Sequence, residues 1–355
     1  MLLSDFDFDL PEELIAQDPI EPRDQARLLV YTRATDTISH HKVADLPRLL
    51  PDQTLLIGNN SKVRHGRLYT TEGREILLVG KEGDYYRALI RGKEPKINQR
   101  FQIQHDKHPL PFYVTVTSVE IGPGMTTLLL NLEGEEENEI LIEKYGKVPL
   151  PPYIHASHAP AERYQTIYAG PLGSAAAPTA GLHFTEDVFK NLTAAGHRWE
   201  TVTLHVGLGT FLPLRNEEVT ANHLHTEITE VTSQVATDIT TQIKEHKPLL
   251  AVGTTSLRTL ESHWQDGQVI PGTLATNLFL YPGLPIHTAT ILFTNFHLPK
   301  SSLLLLVAAF LSMNSTREQR QLSYGEIVAV LHRIYGAAIT EKYRFFSFGD
   351  AMLIL

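Results

Sequence analysis

The sequence contains no cysteine, and that absence removes several classes of chemistry. Disulfide bonds, zinc or iron–sulfur centres bound through cysteine, and a cysteine nucleophile are all excluded. The longest apolar run, Leu303–Leu311, is less than half of the ~20 residues that a membrane-spanning helix needs. The acidic first residues also lack the positive and apolar segments of a signal peptide. We therefore expect a cytoplasmic protein that has no membrane partner.

What the chain does contain is typical of a folded protein. Its 355 residues suggest about two domains of ordinary size, ~100–200 residues each. A hydrophobic fraction of 42% with a charged fraction of 20% argues against wholesale disorder. The net charge is −9, from 31 Lys and Arg against 40 Asp and Glu. This balance disfavours a uniform coat on nucleic acid, but it leaves room for a local basic patch.

The pattern of elements changes along the chain. Between residues 54 and 132, short β-branched and aromatic runs separated by turn residues predict a small β-barrel or sandwich. The Pro-rich segment VPLPPYI at 148–154 cannot continue a helix and indicates a domain junction. From about residue 160, helical and strand patterns alternate, which predicts an α/β layer with a largely parallel sheet. Within it, Thr185 is predicted to cap a helix that stops at Gly196.

One glycine-containing turn in that layer has the pattern of an anion site. A buried strand at 248–252 runs into Gly253, Thr254 and Thr255, and Arg258 follows in the next helix. Helix N-terminal amides, hydroxyl groups and a nearby arginine attract anions. An ordinary threonine cap explains the same residues, so both readings stay open.

A second turn, in TLHVGLGTF at 203–211, follows a strand that carries His205 on its polar side. Its glycines, Gly207 and Gly209, let a backbone approach a ligand closely. The turn lacks a complete GxGxxG, so a dinucleotide cofactor is disfavoured. A satisfied structural histidine is the alternative reading of His205.

The segment HLHTE offers two histidines and a carboxylate. In a strand, His223, His225 and Glu227 would face one way, as metal ligands do. An acid–base pair of His225 and Glu227 is one alternative, and a plain polar strand face or loop is the other.

Two further histidines stand at predicted element ends. His183 follows Gly181 just before the capped helix, and His297 follows Asn295 at the end of a strand. Each alone is as well explained by a structural role. Four histidine-bearing ends in one α/β layer nevertheless predict a shared pocket.

Basic residues cluster in the region that is rich in predicted strands. A small β-barrel with basic loops and nearby aromatic residues can bind RNA through phosphate contacts and stacking. A solvated barrel surface is the alternative. The candidates for tRNA binding are Lys62, Arg64, Arg67, Arg91, Lys93 and Lys96.

Taken together, the segments resemble one family closely, the S-adenosylmethionine:tRNA ribosyltransferase-isomerases of queuosine biosynthesis. They run in family order from residue 5 to 353, and several are long and unusual in composition. The segments that carry the resemblance are DFDFDLPEELIAQ, PIEPRD, ARLLV, VPLPPYI, ERYQTIYA, AAPTAGLHF, VTLHVGLGTF, HLHTE, VGTTSLRTLE, YPG, TNFHLPKSSLLLLVAAF and EKYRFFSFGDAML.

The resemblance implies a specific reaction. The substrate is tRNA whose wobble base is 7-aminomethyl-7-deazaguanine. The ribosyl part of S-adenosylmethionine is transferred to the aminomethyl group and rearranged to an epoxycyclopentanediol, giving epoxyqueuosine, and adenine and methionine leave. S-adenosylmethionine is thus a consumed ribosyl donor, and neither a metal nor another cofactor is implied.

The resemblance also implies an architecture. We expect a discontinuous three-layer α/β catalytic domain formed by residues 1–63 and 150–355. A small antiparallel β-barrel at 64–149 would be inserted into it. We expect the protein to be a monomer.

Residue roles are hypotheses on positions that match family motifs. We expect His205 or His225 to be the base, with Glu227 orienting it, and His183 and His297 to serve adenine or proton transfer. Thr254, Thr255 and Arg258 would hold the methionine carboxylate or a tRNA phosphate, and Asp350 a ribose hydroxyl. The other candidates for substrate binding are Thr179, Gly181, Gly207, Gly209, Thr210, Asn295 and Arg344.

One segment departs from the family pattern. Where the family commonly has an Ile-Pro-Ala sequence, this chain has Arg64-His65-Gly66 at the predicted barrel entry. The change puts local backbone and tRNA contacts in doubt and leaves the main pocket intact. An RNA-binding protein that has lost catalysis on the same scaffold is the second functional hypothesis, and the intact histidine motifs favour the enzyme.

Overall fold

The computed structural model describes residues 1–122, 125–207, 213–313 and 322–355. Its strands are β1 (Arg27–Thr32), β2 (Thr37–Lys42), β3 (Leu55–Asn59), β4 (Lys62–Val63), β5 (Arg67–Thr70), β6 (Glu75–Glu82), β7 (Tyr85–Ile90), β8 (Arg100–His105), β9 (His108–Gly122), β10 (Met125–Gly134), β11 (Leu172–Ser174), β12 (Arg198–His205), β13 (Glu227–Val231), β14 (Leu249–Val252), β15 (Trp264–Gln265), β16 (Gln268–Val269), β17 (Gly272–Thr276), β18 (Ile291–Asn295) and β19 (Ala351–Ile354). Its α-helices are α1 (Leu46–Leu49), α2 (Asn138–Tyr145), α3 (Glu186–Ala194), α4 (Ser233–Lys244), α5 (Thr254–Ser262), α6 (Ser302–Leu311) and α7 (Tyr324–Thr340).

Nine of these strands form one mixed sheet, in the order β17-β13-β12-β3-β14-β18-β19-β1-β2. Its central strands β12, β3, β14 and β18 are parallel to one another. Toward the edges the pairs are antiparallel, apart from β19 with β1. The expected parallel sheet is therefore right for the centre and wrong for the edges. Antiparallel edge strands can leave one face in water, and β13 alternates buried and exposed residues accordingly.

Helices cover both faces of the sheet centre. Alternate residues of β3 point to opposite faces, with Leu55 and Ile57 in one hydrophobic cluster and Leu56 in another. Helices α4, α5, α6 and α7 contribute to the first cluster, and α1 and α3 to the second. Because both faces are covered, β3, β14 and β18 are buried at every position, which explains why their sequences are apolar except at the carboxyl ends of β3 and β18.

A separate six-stranded antiparallel sheet comes entirely from residues 67–134. Its order is β10-β7-β6-β5-β8-β9, and it closes on itself because β9 also pairs with β10. Alternate residues fill the interior, and α2 packs Leu141 and Ile142 against it. Gly134 permits this contact, since a Cβ there would lie 2.2 Å from Leu141 Cδ1. The large sheet takes its strands from residues before and after this stretch, 27–59 and 198–354.

Local sequence signals for helices are confirmed where the caps are explicit. Thr185 Oγ1 accepts a hydrogen bond from the Val188 amide at 3.2 Å, and α3 ends just before Gly196, whose φ is +82°. Helix α4 is capped in the same way by Thr232.

The histidines of HLHTE lie in a loop and not in a strand, as one of the alternatives had it, because β13 begins only at Glu227. His223 and His225 therefore do not share a strand face with that carboxylate. Among the residues that the structure describes, no group of three or more His, Asp or Glu side chains converges as metal ligands would. Within the same ranges, no helix has the length and apolar character to cross a bilayer.

The packing of α2 gives a stability prediction with a matched control. Ile142 is fully buried, whereas Ile140 in the same helix is 49% exposed. We expect Ile142→Ala to lower the free energy of unfolding by about 2–5 kcal/mol, because it leaves a cavity beneath α2. Ile140→Ala should cost about 0.5 kcal/mol or less. Urea unfolding followed by circular dichroism measures both, and equal losses would contradict this packing.

Candidate active site

A cavity of about 530 Å³ lies at the carboxyl ends of the parallel strands. Its wall includes Val206 just after β12, Thr254 and Thr255 at the start of α5, and Asn295 at the end of β18. Gly253 makes the turn out of β14 with a φ of +89°, a value that glycine adopts without strain. Ligands of open α/β sheets bind at this edge, and small-molecule sites usually have volumes of ~300–1,000 Å³.

Asn295 connects two predicted site residues. Thr179 Oγ1 donates a hydrogen bond to its Oδ1 at 3.0 Å, and its Nδ2 donates to His183 Nε2 at 3.1 Å. A neutral His183 therefore carries its proton on Nδ1. Burial lowers the pKa of His183 to about 4, against the opposing charge of Asp350. At neutral pH this imidazole is uncharged and stands behind the Asn295 wall.

His297 lines the cavity directly. Its Nε2 lies 2.9 Å from Thr294 Oγ1, and its backbone amide donates to the Tyr335 hydroxyl at 3.3 Å. Burial lowers the pKa of His297 to about 3. Both histidines near this cavity are therefore neutral hydrogen-bonding groups and not cations.

Glu227 is a buried carboxylate that contacts Arg258, Gly207 and His225 in the described part of the chain. Arg258 Nη1 donates to its Oε2, the Gly207 amide donates to its Oε1 at 2.8 Å, and His225 Nε2 lies 3.2 Å from Oε1. Burial opposes ionisation, but the hydrogen bond from His225 and the charge of Arg258 outweigh it and lower the pKa of Glu227 to about 2. The ionised carboxylate therefore ties β13 to α5 and to the turn after β12.

Two of the predicted glycines are required by close approach. A Cβ on Gly207 would lie 2.8 Å from His225 Nε2, and a Cβ on Gly181 would lie 1.9 Å from the Tyr168 hydroxyl. Any side chain at either position would displace a neighbouring ring. Gly209 and Thr210 lie outside the described residues.

Two predicted ligand contacts are occupied by protein groups. Arg258 is 3% exposed, and its Nε donates to the Leu278 carbonyl at 3.1 Å in addition to the Glu227 pair. Asp350 is 1% exposed and accepts hydrogen bonds from the backbone amides of Arg27 and Arg344 at 3.0 and 2.8 Å. These contacts favour positioning roles for both side chains.

His205 is held by a hydroxyl pair. Its Nδ1 lies 2.7 Å from Ser61 Oγ, which lies 2.7 Å from Ser174 Oγ. Burial lowers the pKa of His205, as does the charge of Arg64. The next residue, Val206, lines the cavity, and His205 itself does not.

The shared pocket expected for four histidine-bearing ends is only partly formed. His297 reaches the cavity, and His183 stands behind its wall. His225 lines a small neighbouring hollow that shares Leu303 with the cavity. His205 contacts the Ser61 pair instead.

The predicted tRNA contacts fall into two groups. In the first group, Arg64 is only 13% exposed and pairs with Glu139, and Arg67 Nε lies 3.1 Å from Glu75. Both arginines therefore face acidic partners. Lys62, the third member of this group, is half-buried. The exposed group lies on the connection between β7 and β8 and consists of Arg91, Lys93 and Lys96. Only this second group presents its charge to solvent.

Sequence reasoning missed the groups that position the histidines. Ser61 and Ser174 fix His205, and Thr294 fixes His297. Thr294 precedes His297 by three residues inside a motif already singled out, so its spacing was a usable signal. Ser61 and Ser174 are 113 residues apart, and only the pairing of β4 with β11 brings them together.

Glu227 gives a prediction about acid stability. Its pKa falls from 4.5 to about 2 on folding, so its stabilising contribution is complete above pH 4.5 and is lost as the pH drops toward 2. We expect that contribution to be about 3 kcal/mol at neutral pH. Glu227→Gln should be less stable at pH 7 and should lose less stability between about pH 5 and pH 2.

Urea unfolding at a series of pH values measures this difference. Glu230→Gln, at an exposed position of the same strand, is the matched control and should keep the wild-type pH dependence. An acid dependence in Glu227→Gln equal to that of the wild type would refute the assignment.

Comparisons with known proteins agree on one family. A family model described as queuosine biosynthesis protein matches residues 3–354. The S-adenosylmethionine:tRNA ribosyltransferase-isomerases of Symbiobacterium thermophilum and Desulforamulus reducens are 42% and 41% identical, with 100% of each chain covered. The crystal structure of an S-adenosylmethionine tRNA ribosyltransferase from Thermotoga maritima matches with a TM-score of 0.54 at 30% identity, over 99% of this chain and 100% of that one. The resemblance seen in the motifs is thus confirmed, and the chain belongs to the queuosine biosynthesis protein family.

Proposed function

We propose that this protein transfers the ribosyl part of S-adenosylmethionine to the 7-aminomethyl-7-deazaguanine wobble base of tRNA. It isomerises that part to the epoxycyclopentanediol of epoxyqueuosine, and adenine and methionine leave. The observation that carries the proposal is the cavity at the strand ends, whose volume and mixed apolar and hydroxyl lining suit a nucleoside-containing donor. The full-length similarity to the ribosyltransferase-isomerases supports the same reaction.

The reaction needs a base near C5′ of the donor, because the sulfonium makes that proton acidic. We assign this role to His225. Glu227 holds the Nε2 side of the ring, which leaves Nδ1 for the substrate, and its negative charge stabilises the imidazolium that forms. His205 is the second candidate, with Ser61 holding its Nδ1 and Nε2 left for the proton.

Adenine leaves poorly as an anion and needs a hydrogen-bond or proton donor. His297 is the direct partner in this proposal because it lines the cavity as a neutral imidazole. His183 acts through Asn295 as a positioning residue. Neutral imidazoles also avoid repelling a donor that itself carries a positive sulfonium.

The methionine carboxylate is assigned to the start of α5. Thr254 and Thr255 line the cavity there, and the helix N-terminus presents backbone amides to an anion. Arg258, one turn further on, faces Glu227 and therefore acts by positioning that carboxylate.

We assign the tRNA to contacts with both the inserted domain and the catalytic domain. We propose that residues 64–149 form a β-barrel domain inserted into a three-layer catalytic domain of residues 1–63 and 150–355. Arg91, Lys93 and Lys96 on its exposed connection contact tRNA phosphates. The enzyme works as a monomer in the cytoplasm, consumes S-adenosylmethionine and uses no further cofactor.

The test is incubation of the purified protein with S-adenosylmethionine and tRNA that carries the aminomethyl precursor base. Nucleoside mass analysis should then find epoxyqueuosine, with adenine and methionine released in equal amounts. Bound tRNA without any product would contradict the proposal and favour a tRNA-binding protein on the same scaffold.

The assignment of the base predicts a specific kinetic change. His225→Gln should lower kcat by about 10²–10⁴-fold, because proton abstraction at C5′ is lost, with the Kd for S-adenosylmethionine little changed. The neighbouring exposed His223 provides the control, and His223→Gln should leave kcat near wild type. Near-normal kcat in His225→Gln together with a collapse in His205→Gln would transfer the role to His205.

A further inference from the structure

Three arginines from distant parts of the chain line one cleft outside the cavity. Arg23, Arg163 and Arg344 share its wall with His183 and Ser347, and we call it the arginine cleft. The cleft volume is about 20 Å³, room for one or two water-sized atoms. Arg163 and Arg344 keep 21% and 28% of their side chains exposed, so the cleft is open to solvent.

Arg344 has hydrogen-bond donors that the protein leaves unused. Its Nη1 donates to the Asp18 carbonyl at 3.2 Å. Its Nε and Nη2 are buried and have no hydrogen-bond partner in the described part of the chain, since Nη2 is 3.7 Å from Asp350 Oδ1. These two nitrogens lie on the same side of the guanidinium and can donate together to one anion. Because unpaired buried donors are destabilising, an anion at this point is favoured.

The other two arginines are held in place by backbone carbonyls. Arg23 Nη1 donates to the Gln165 carbonyl at 2.8 Å. Arg163 Nη2 donates to the Ile20 carbonyl at 3.3 Å and lies 2.6 Å from Glu21 Oε2. Burial lowers the pKa of Arg23, and so does the positive charge of Arg163, against the opposing charge of Glu21. An anion between the two arginines would reduce the repulsion between their positive charges.

Positive charge exceeds negative charge around the arginine cleft. Arg27 is a fourth guanidinium behind it, and the facing carboxylates are Glu21 and Asp350, the latter shared between Arg27 and Arg344. The Asp18 carboxylate is turned to the backbone amides of residues 158 and 159. Four arginine side chains therefore lie near two carboxylates in the described part of the chain, and this excess of positive charge favours an anionic ligand.

The arginine cleft lies directly beside the cavity. Ser347 lines both of them. His183 lines the cleft and is hydrogen-bonded to Asn295, which lines the cavity, so a single layer of side chains separates the two. A nucleotide whose base enters the cavity would carry its own backbone phosphates to the neighbourhood of the cleft.

We propose that the arginine cleft binds a backbone phosphate of the tRNA next to the wobble nucleotide. One phosphate oxygen enters the cleft and meets Nε and Nη2 of Arg344, while Arg23 and Arg163 contact the other oxygens at its mouth. Guanidinium groups suit phosphate because they offer paired donors in a fixed geometry, and three of them can surround a tetrahedral anion. This proposal rests on the proposed function, since it places the wobble base in the cavity.

The test measures binding of the precursor-bearing tRNA to the full chain at a series of KCl concentrations. We expect Arg344→Gln and Arg163→Gln each to weaken binding roughly tenfold and to reduce the slope of log K against log[salt] by about 0.7–1. Affinity for S-adenosylmethionine should not change. Arg48→Gln is the control for the loss of one charge, because Arg48 is 71% exposed and pairs with Asp45, three residues earlier in the chain. It should change neither quantity.

A second measurement separates a phosphodiester from free phosphate. Inorganic phosphate is titrated against the thermal unfolding of the wild type and Arg344→Gln at constant ionic strength. Stabilisation of the wild type alone, with tRNA affinity and salt slope unchanged in the variants, would mean a free-phosphate site and would overturn the tRNA assignment. Unchanged affinity and slope in both cleft variants would overturn it as well.

Binding of tRNA does not require catalytic turnover, so an experiment can contradict the proposed reaction or the proposed phosphate site without contradicting the other. A wild type that binds tRNA with the arginine-dependent slope but forms no epoxide contradicts the proposed reaction and supports the cleft. Normal epoxide formation with unchanged slopes contradicts the cleft alone. If Arg344→Gln fails to fold, Arg163→Gln decides, because the polar contacts of the Arg163 side chain within the described residues are with the Ile20 carbonyl and the exposed Glu21.

Discussion

Strands β3, β14 and β18 are buried on both faces, and this burial restricts polar side chains to the ends of the strands. A polar side chain in the middle of such a strand would lose its hydration without gaining a partner. Polar residues accordingly stand at the carboxyl ends, where adjacent turns supply partners: Asn59 Nδ2 donates to the Leu204 carbonyl at 3.0 Å and to Thr255 Oγ1 at 3.1 Å. Asn295 ends β18 in the same way. The cavity lies at this edge, where the sheet offers both burial and hydrogen-bond partners.

The same reasoning applies to the buried charge of Glu227. Removing an ionised carboxylate from water is costly, and it persists only when donors surround it. Arg258, the Gly207 amide and His225 supply those donors, and each comes from a different segment. The Glu227 carboxylate therefore has two effects. It holds the backbone after β12 through the Gly207 amide, and it orients the His225 imidazole that we assign as the base.

The side chains on the two sides of the cavity wall differ in charge. On the cavity side, burial keeps His297 neutral, and His183 behind the wall is neutral as well, which suits the proposed donor with its positive sulfonium. On the other side stand guanidinium groups, which stay protonated at any physiological pH and suit a phosphate. A wall one side chain thick therefore separates the proposed site of the cationic donor from the proposed site of a tRNA phosphate.

The sequence by itself determined the local elements, the family and the reaction. Caps such as Thr185 and continuous apolar strands depend on residues a few positions apart, and the motifs are local too. The anion-binding role expected for Arg258 depended on what faces it, and only the tertiary structure put Glu227 there. Ser61 with Ser174 and the three cleft arginines likewise meet across more than a hundred residues. Side-chain partners are set by which strands pair and how loops pack, and that information is spread over the whole chain.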